Sequence, residues 1–343
     1  MDPLLKKILN AVGVSGYEAE IAGIMRSELK QACGNAQCDA FGNVIARCGK
    51  GTKRIMLCAH MDEVGFLVKL INKEGFLNFI KIGGIDDRVL IGQRVAIRTA
   101  AGNVLGVIGA KPPHLLKEEE KKTVIKHTEM FIDIGAGSLK DAQKRVALAD
   151  VAVFEPNAGV LDGRLCYGKA VDDRVGCYCL IKIMERLKKV NAEVFAVATA
   201  QEEVGLKGAR TSSFKINPDF AIAIDTSCAG DYPGIRESES SLKLGEGASI
   251  TIIEASGRGL IVDEKTKELL VGVARKNKIK YQMDVLEGGM TDGAMISMNR
   301  EGIPTGVISV PARYVHSPTG VFSMDDVEAA IDLAAKTVEK VAG

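Results

Sequence analysis

One long stretch of this sequence differs in pattern from the segments on either side of it, and that interruption constrains the fold more than any other feature. Between about residues 65 and 155, short strand-like runs such as Phe66–Leu70 and Val104–Ile108 are separated by turn residues. Before and after this stretch, apolar runs alternate with helical periodicity. We therefore predict an α/β domain that is interrupted by a small β-barrel or compact β-domain.

The flanking segments carry the start signals of helices and the apolar runs of buried strands. Asp2-Pro3 predicts the start of a first helix, and Ser15 followed by Glu18 predicts a capping box at the start of a second. Ile55–Ala59 is short, continuous and apolar, which is typical of a strand buried on both faces. The remaining predicted strands and helices are Val194–Ala200, Phe220–Ile224, Lys280–Val285 and Gly306–Val310, and Asp173–Leu187, Lys265–Lys276 and a helix after Met324.

These patterns together predict the fold class and the division into domains. We expect an α/β core with a mixed sheet flanked by helices, interrupted by a small β-barrel-like insertion. We place the core in residues 1–64 and 157–343 and the insertion in residues 65–156. With 343 residues, the chain is long enough for two such domains of unequal size.

Charge and cysteine content exclude some partners and favour one compartment. Lysine and arginine number 45 against 44 aspartate and glutamate, so the net charge of +1 gives no overall field that would attract nucleic acid or an anionic membrane. No apolar run approaches the roughly 20 residues that span a bilayer, and residues 1–7 lack the features of a signal peptide. Eight cysteines are scattered without a CxxC pair, which is typical of reduced thiols. We expect a cytoplasmic protein.

Histidines and acidic residues cluster where the predicted apolar strands end. The segments that follow four predicted strands contain His60-Met61-Asp62-Glu63, Gln201-Glu202-Glu203, Asp225 and His316. A fifth segment, Asp172-Asp173-Arg174, stands directly before a predicted helix. Because ligands bind outside the carboxyl ends of the strands in open α/β sheets, we expect these segments to converge on one pocket.

Two histidines with several carboxylates and no thiolate form a set of nitrogen and oxygen ligands. Such a set suits Zn²⁺, Co²⁺ or Mn²⁺ rather than a structural zinc site or an iron–sulfur cluster. A carboxylate that bridges two ions would also hold a bridging water, lower its pKa and polarise a carbonyl group. A neighbouring carboxylate without a metal would then act as general base, and the adjacent Glu202 and Glu203 can supply both roles.

Each of these segments, taken alone, also has a purely structural interpretation. His60 could be a core histidine that is hydrogen-bonded to a carboxylate. Glu202-Glu203 could be a solvated turn, and Asp172-Asp173 could be the N-cap and acidic first turn of a helix. Their joint order along the chain is the stronger signal.

The predicted insertion contains polar residues that lack the context of a site. Its Asp86-Asp87-Arg88 sequence does not follow a parallel strand, so we interpret it as structural. We expect His114 and His127 to be surface residues in or near the charged loop Lys117–Lys126.

The order of the candidate segments resembles that of a known family. The chain looks like the dinuclear metallopeptidases of the glutamyl/leucyl aminopeptidase family, which include the tetrahedral (TET) aminopeptidases and some members labelled cellulase M or endoglucanase. The resemblance covers nearly the whole chain. Besides the histidines and carboxylates, it rests on the motifs Ala59–Gly65, Lys111–Leu115, Phe131–Ala136, Gln201–Leu206 and Pro311–Ser317.

The resemblance implies a ligand role for five residues. His60 and Asp225 would complete one metal site. Glu203 and His316 would complete the other. Asp172 would bridge the two divalent ions, with zinc or cobalt expected ahead of manganese.

The resemblance also implies the reaction and the assembly. The protein would be an aminopeptidase that removes N-terminal residues from peptides. Glu202 would be the general base, and Asp62 would orient His60 from behind. The insertion would be the dimerisation domain of a twelve-subunit tetrahedral shell, so the expected partners are peptides and further copies of the chain.

One loop departs from the expected pattern, and other functions stay open. Gly289–Gly293 carries Met290 where Gly-Thr-Asp is expected, which leaves the N-terminal residue preference open. A glycoside hydrolase could use paired carboxylates, but the chain has no tryptophan and only 5% aromatic residues for a sugar platform. A metal-dependent carboxypeptidase or deacylase is a second alternative. A non-catalytic assembly protein is a third, and the complete set of ligand residues argues against it.

Overall fold

A computed structural model of the chain describes residues 1–187 and 189–343. The helices in this part of the chain are α1 (Pro3–Asn10), α2 (Ala19–Cys33), α3 (Leu139–Ala142), α4 (Val171–Arg186), α5 (Lys207–Ile216), α6 (Glu264–Asn277), α7 (Asp292–Ser297) and α8 (Met324–Ala342). The strands are β1 (Gln37–Cys38), β2 (Val44–Cys48), β3 (Arg54–His60), β4 (Gly65–Ile71), β5 (Leu77–Ile82), β6 (Arg94–Thr99), β7 (Gly102–Gly109), β8 (Phe131–Asp133), β9 (Val151–Phe154), β10 (Gly159–Asp162), β11 (Leu165–Gly168), β12 (Glu193–Thr199), β13 (Phe220–Cys228), β14 (Ala248–Ile253), β15 (Tyr281–Val285), β16 (Thr305–Arg313) and β17 (Gly320–Ser323). Among the residues described, no helix combines the length and apolar character needed to cross a bilayer.

Parallel strands form the centre of a large mixed sheet. β12, β3, β13 and β16 lie side by side in parallel. β2 and β1 extend the sheet beyond β12, and β17, β11 and β10 extend it beyond β16, all through antiparallel pairs. β14 pairs with β16 and with β15. This arrangement confirms the predicted α/β core with a mixed sheet and flanking helices.

Both faces of β3 are buried, as its continuous apolar run predicts. Ile55 and Leu57 pack in a core that includes residues of α1, α2, α4 and α8. Met56 and Cys58 pack in a second core with residues of α5 and α7, because successive side chains of a strand point to opposite faces. Each side chain from Ile55 to Cys58 therefore faces an apolar core, and a polar side chain can face a ligand only near the strand end.

The β-rich stretch closes into an antiparallel barrel with the strand order β4-β5-β8-β7-β6-β9, which confirms the predicted barrel-like insertion. Phe66 lies edge to face with Phe79 and Phe154, at ring-centroid distances of 5.2 and 5.3 Å. These rings belong to a core of the barrel's own. The charged stretch 117–126 is mostly exposed and contains a short 3₁₀ turn. The division at residues 64/65 and 156/157 stays a prediction.

The second helix does not begin as the capping-box pattern predicts. α2 starts at Ala19, with Glu18 at its N-cap. The hydroxyl of Ser15 instead donates a hydrogen bond to Oδ2 of Asp62 at 2.6 Å. The predicted capping box is therefore wrong, because the side chain of Ser15 forms a tertiary hydrogen bond instead of the local one that caps a helix.

Candidate active site

The carboxyl ends of the parallel strands meet along one edge of the sheet. His60 is the last residue of β3 and lies opposite Thr199, the last residue of β12. β3 and β13 stop pairing at Cys58 and Ala223, two residues before His60 and Asp225. A crevice at such an edge is the usual ligand site of an open α/β sheet.

Asp172, in the first turn of α4, lies between two histidines. Its Oδ1 is 3.0 Å from Nε2 of His60, and its Oδ2 is 3.1 Å from Nε2 of His316. Oε2 of Glu203 is 3.3 Å from Nε2 of His316. Oδ1 of Asp225 is 4.0 Å from Nε2 of His60. Both histidines thus contact Asp172, and each has at least one further carboxylate within 4.0 Å.

Glu202 faces the same cleft, next to Glu203. Both glutamates follow β12 in a turn that is closed by hydrogen bonds from the N–H groups of Gly205 and Leu206 to the carbonyl oxygen of Glu202. Oε2 of Glu202 is 3.9 Å from Nε2 of His60. The cleft has a volume of about 460 Å³, which suits a small ligand or the end of a peptide.

Asp62 lies behind His60 and holds the turn that carries the two glutamates. Its Oδ1 accepts a hydrogen bond from the backbone N–H of Glu202 at 3.0 Å. Its Oδ2 accepts one from the N–H of Glu203 at 3.2 Å, together with the hydroxyl of Ser15. Oδ1 also lies 3.5 Å from Nδ1 of His60. The buried Asp62 therefore ties the position of His60 to that of both glutamates.

The barrel reaches the cleft through two glycines that follow β5. Gly84 lines the cleft, and a Cβ atom at this position would lie 3.3 Å from Nδ1 of His316. A Cβ atom at Gly83 would lie 2.7 Å from Cγ1 of Val64. Gly83 also has a φ of +78°, which other residues rarely adopt. The close approach of the barrel to the site therefore requires small residues here.

Burial and crowding shift the pKa values of the candidate residues. Burial raises the pKa values of Glu202 and Asp225 well above their usual range, and neighbouring carboxylates add to the effect. Burial opposes protonation of His316, but hydrogen bonds to Asp172 and Glu203 raise its pKa to about 11. Burial would raise the pKa of Asp172, yet its hydrogen bonds with the two histidines hold that pKa below its usual range.

The cleft holds more negative charge than its own side chains compensate. In the part of the chain that the structure describes, no lysine or arginine lines it. Lys169 and Arg174 lie nearby, but both bind Glu63 behind the site, at 2.8 and 3.1 Å. Oε1 of Glu203 and Oδ2 of Asp173 are buried without a hydrogen-bond partner among the described residues. Imidazole nitrogens and carboxylate oxygens in this arrangement fit divalent cations such as Zn²⁺, Co²⁺ and Mn²⁺.

Among the residues that the structure describes, two groups of three bring ligand atoms within 4.8 Å of one another: His60, Asp172 and Glu203, and His60, Asp173 and Asp225. The second group contains Asp173, to which the sequence assigned no role in the site. Oδ1 of Asp173 accepts a hydrogen bond from the N–H of Gly176 at 3.0 Å. Asp173 therefore caps the first turn of α4, as the structural interpretation of the pair predicts, while Asp172 faces the cleft.

Comparison with known proteins identifies the family. Residues 42–333 match the sequence profile of the M42 glutamyl aminopeptidases. The chain belongs to this family. The lysyl aminopeptidase of Pyrococcus furiosus is 33% identical over 342 residues, which cover 98% of this chain and 96% of that protein.

Solved structures of TET peptidases have the same fold. A TET aminopeptidase from a Thaumarchaeota archaeon has a TM-score of 0.95 and 38% identity, over 98% of this chain and 95% of that one. The TET1 peptidase of Pyrococcus horikoshii has a TM-score of 0.88 and 36% identity, over 97% of both chains. These similarities confirm the predicted resemblance to TET peptidases and the prediction of a hydrolase of the metallo-aminopeptidase class.

The M42 fold brings the predicted segments to one cleft. The candidate residues that line it are His60, Asp172, Glu202, Glu203, Asp225 and His316. His114 is exposed, as predicted. His127 differs from the prediction, because its side chain is only 25% exposed and its Nδ1 lies 3.4 Å from Oδ1 of Asp87.

Sequence reasoning missed residues that support the M42 site from behind. The hydroxyl of Ser15 donates a hydrogen bond to Asp62, and Glu63 forms ion pairs with the buried Lys169 and Arg174. Asp292 is buried beside the site, where Oδ2 accepts a hydrogen bond from the hydroxyl of Thr199 and burial raises the pKa to about 6. The local patterns gave no sign of these two contacts, because they assigned Ser15 to a helix cap and placed Glu63 only in the acidic segment after β3. The unusual loop Gly289–Gly293, in contrast, was a signal for Asp292.

Proposed function

We propose that this chain is an aminopeptidase that uses two divalent metal ions to remove residues from the N-termini of peptides. The observation that carries the proposal is the position of Asp172, whose two carboxylate oxygens lie 3.0 and 3.1 Å from the Nε2 atoms of two different histidines. A carboxylate with a histidine on each side can bind two ions at once. The family description and the name of the Pyrococcus furiosus relative support a peptide substrate.

In this proposal each ion has its own histidine and carboxylate. His60 and Asp225 would hold one ion, Glu203 and His316 would hold the other, and Asp172 would contribute to both. When bound, the ions would polarise the scissile carbonyl group and lower the pKa of the attacking water. Imidazole and carboxylate ligands favour zinc or cobalt, with manganese next.

Glu202 is the proposed general base. Its carboxylate faces the cleft next to the proposed ligands, where it accepts a proton from the attacking water and returns it to the leaving amine. Burial raises the pKa of Glu202, so its carboxylate accepts a proton more readily than that of an exposed glutamate. Asp62 holds the backbone N–H of Glu202, so that the carboxylate keeps its position.

Metal removal tests this proposal directly. Treatment with a chelator followed by gel filtration should abolish hydrolysis of leucine p-nitroanilide, and Zn²⁺, Co²⁺ or Mn²⁺ added singly should restore it. Elemental analysis of the same samples gives the number of ions per chain. Full activity in protein that contains no metal would refute the proposal.

The exopeptidase assignment has its own test. A peptide with a free N-terminus should be shortened stepwise, whereas its N-acetylated twin should stay intact, and mass spectrometry follows both. Internal cleavage of the blocked peptide would contradict an aminopeptidase. Release of sugar from carboxymethylcellulose would favour the alternative glycosidase, and release of C-terminal residues would favour a carboxypeptidase.

We also propose that copies of the chain assemble through the barrel into a dodecameric shell. The Pyrococcus horikoshii peptidase is described as able to assemble into a tetrahedron or a large octahedral shell. In this chain, the outer surface of the barrel exposes Leu70, Ile80, Leu105 and Val107, and exposed apolar patches support contacts between subunits. Light scattering should give a mass far above the 36.6 kDa of one chain. A monomer at micromolar concentration would refute this part.

A cytoplasmic location completes the proposal. It is supported by the cysteines, all eight of which are free thiols, as expected in a reducing compartment. Cell fractionation with an antibody against the chain measures the location. Recovery of the protein from the culture medium would contradict it.

A further inference from the structure

The cleft has an apolar side in addition to its histidines and carboxylates. Leu206, Leu286, Met290 and Val315 line it, and we refer to these four residues as the apolar wall. Met290 is 46% exposed, whereas Leu206 is only 4% exposed. A Cβ atom at Gly288, which also lines the cleft, would meet no atom within 4 Å. The cleft therefore has free space beside an accessible apolar side chain.

An acidic side chain would find no lysine or arginine in the described part of this cleft. Among the described residues that line it, the basic ones are His60 and His316, and both already contact Asp172 as proposed metal ligands. Lys169 and Arg174 are bound to Glu63, and Arg313 is paired with Asp231 at 2.6 Å. Burial of a carboxylate without a cation is unfavourable, and the carboxylates already present increase that cost. An N-terminal glutamate is therefore disfavoured.

A basic side chain would find no free carboxylate. The acidic residues that line the described cleft are Asp172, Glu202, Glu203 and Asp225. Each of them already has a proposed role in ion binding or proton transfer. An N-terminal lysine would therefore bury its ammonium group without a partner, or leave it at the cleft mouth without a contact.

Contacts on both sides of Met290 fix the loop that presents it. A Cβ atom at Gly259 would lie 2.8 Å from Cγ of Met290, so the methionine packs closely over this glycine. The hydroxyl of Thr291 donates a hydrogen bond to Oε1 of Glu254 at 2.6 Å. A methionine held in this way can adapt its flexible thioether to apolar side chains of different shapes.

We propose that the site prefers uncharged apolar N-terminal residues such as leucine and methionine over glutamate and lysine, and that Met290 is a specificity-determining residue. This inference rests on the proposed aminopeptidase function. It separates the substrate of this chain from the glutamate in the family description and from the lysine in the name of the Pyrococcus furiosus relative. It also gives a role to the methionine that departs from the expected Gly-Thr-Asp pattern.

The first experiment measures kcat/KM of the metal-loaded enzyme for leucine, methionine, lysine and glutamate p-nitroanilides. The values for leucine and methionine should exceed that for glutamate by at least about 100-fold and that for lysine by at least about tenfold, because a charged group left unpaired in a cleft is rejected strongly. Faster turnover of the glutamate or lysine derivative would overturn the proposed preference. Absence of turnover of all four derivatives would instead overturn the aminopeptidase function and this inference with it.

The second experiment tests Met290 itself. Met290→Lys places a cation at the apolar wall, and the ratio of kcat/KM for glutamate to that for leucine should rise at least about fivefold. Met298→Lys is the matched control, because Met298 is 63% exposed at the end of α7 and does not line the cleft. The control should keep the wild-type ratio, and Met290→Leu should keep the leucine preference.

Metal content and thermal midpoints of the variants separate specificity from damage. If Met290→Lys keeps its ions and its folding but leaves the substrate ratio unchanged, Met290 does not determine specificity. An equal change in Met298→Lys would mean that overall charge, rather than the apolar wall, sets the ratio, and this would also overturn the role of Met290.

Discussion

The sequence Asp-Asp-Arg occurs twice in this chain and folds into two different environments. At Asp172-Asp173-Arg174, the first carboxylate lies between two histidines, and the guanidinium group turns away to Glu63 and to two backbone carbonyl groups. At Asp86-Asp87-Arg88, in the barrel, Arg88 binds Asp86 and Lys81 binds Asp87 at 2.6 Å.

The two regions differ in where the compensating cations lie. In the barrel each carboxylate has a basic partner within its own loop or the adjacent strand, so the charges are balanced locally. In the core, Lys169 and Arg174 both bind Glu63, so the contacts of the Asp172 carboxylate are with His60 and His316. The same three residue types therefore form a structural turn in one place and a candidate metal site in the other.

Substitution of the first aspartate of each pair should give the largest contrast. Asp172→Asn weakens the carboxylate shared by both proposed ions, so kcat/KM should fall at least about 10³-fold, with loss of bound metal. Asp86→Asn is the matched control and should keep wild-type kinetics. Steady-state rates and elemental analysis of both variants provide the measurement. Equal activity of the two variants would mean that Asp172 does not belong to the active site.

The two adjacent glutamates of the core should respond differently to the same substitution. Glu202→Gln removes the proposed base but no proposed ligand, so kcat should fall about 10²–10⁴-fold while both ions stay bound. Glu203→Gln should lower metal occupancy and activity together. Rates and metal content must be measured on the same samples, because lost ions imitate lost chemistry. The opposite pattern would exchange the two assignments, and wild-type rates in both variants would restore the solvated-turn interpretation.

The cations behind the site should affect stability. Glu63→Gln leaves Lys169 and Arg174 buried without their carboxylate, and the free energy of unfolding should fall by about 3–5 kcal/mol. Glu193→Gln is the control, because its ion pair with Arg47 is largely exposed and should matter little. Urea denaturation measures both effects. Unchanged stability of Glu63→Gln would show that these cations are compensated in another way.

The barrel ion pair should give the smallest effect. Asp87→Asn removes the partner of Lys81, and the two side chains are 21% and 11% exposed. This burial lies between that of a surface pair and that of the Glu63 pairs, so the loss should be about 1–2 kcal/mol of stability without a change in kcat/KM. Added salt should reduce the difference from wild type. Thermal melts at low and high salt test this. A loss larger than that of Glu63→Gln would reverse the contrast between the two regions.

The strand ends made much of the site predictable from sequence. A continuous apolar run such as Ile55–Ala59 must be buried, so the first polar residues after it lie at the edge of the sheet. The same logic misjudged strand length. β13 reaches Cys228 and therefore contains Asp225, and β16 reaches Arg313. Apolar patterns cannot show where a strand ends when its last residues turn polar to face a ligand.

The contacts behind the site were not predictable, because they join segments far apart in the chain. Ser15 and Asp62 are 47 residues apart, and Glu63 and Lys169 are 106 apart. A serine three residues before a glutamate satisfies the local rule for a capping box, yet a stronger tertiary partner was available. Likewise, the sequence Asp-Asp-Arg does not show whether the arginine binds the adjacent aspartate, as Arg88 does, or a distant carboxylate, as Arg174 does.

The two glycines that join the barrel to the cleft limit how this chain can be redesigned. Loops elsewhere on the barrel surface can change length with little effect on the core. A side chain at Gly83 would press on Val64, and one at Gly84 would press on His316. The barrel is therefore not a cassette that can be exchanged freely between relatives. A functional chimaera has to keep Gly83 and Gly84 in contact with the core. For the same reason, we expect substitutions that other positions of the barrel tolerate to be rejected at these two glycines.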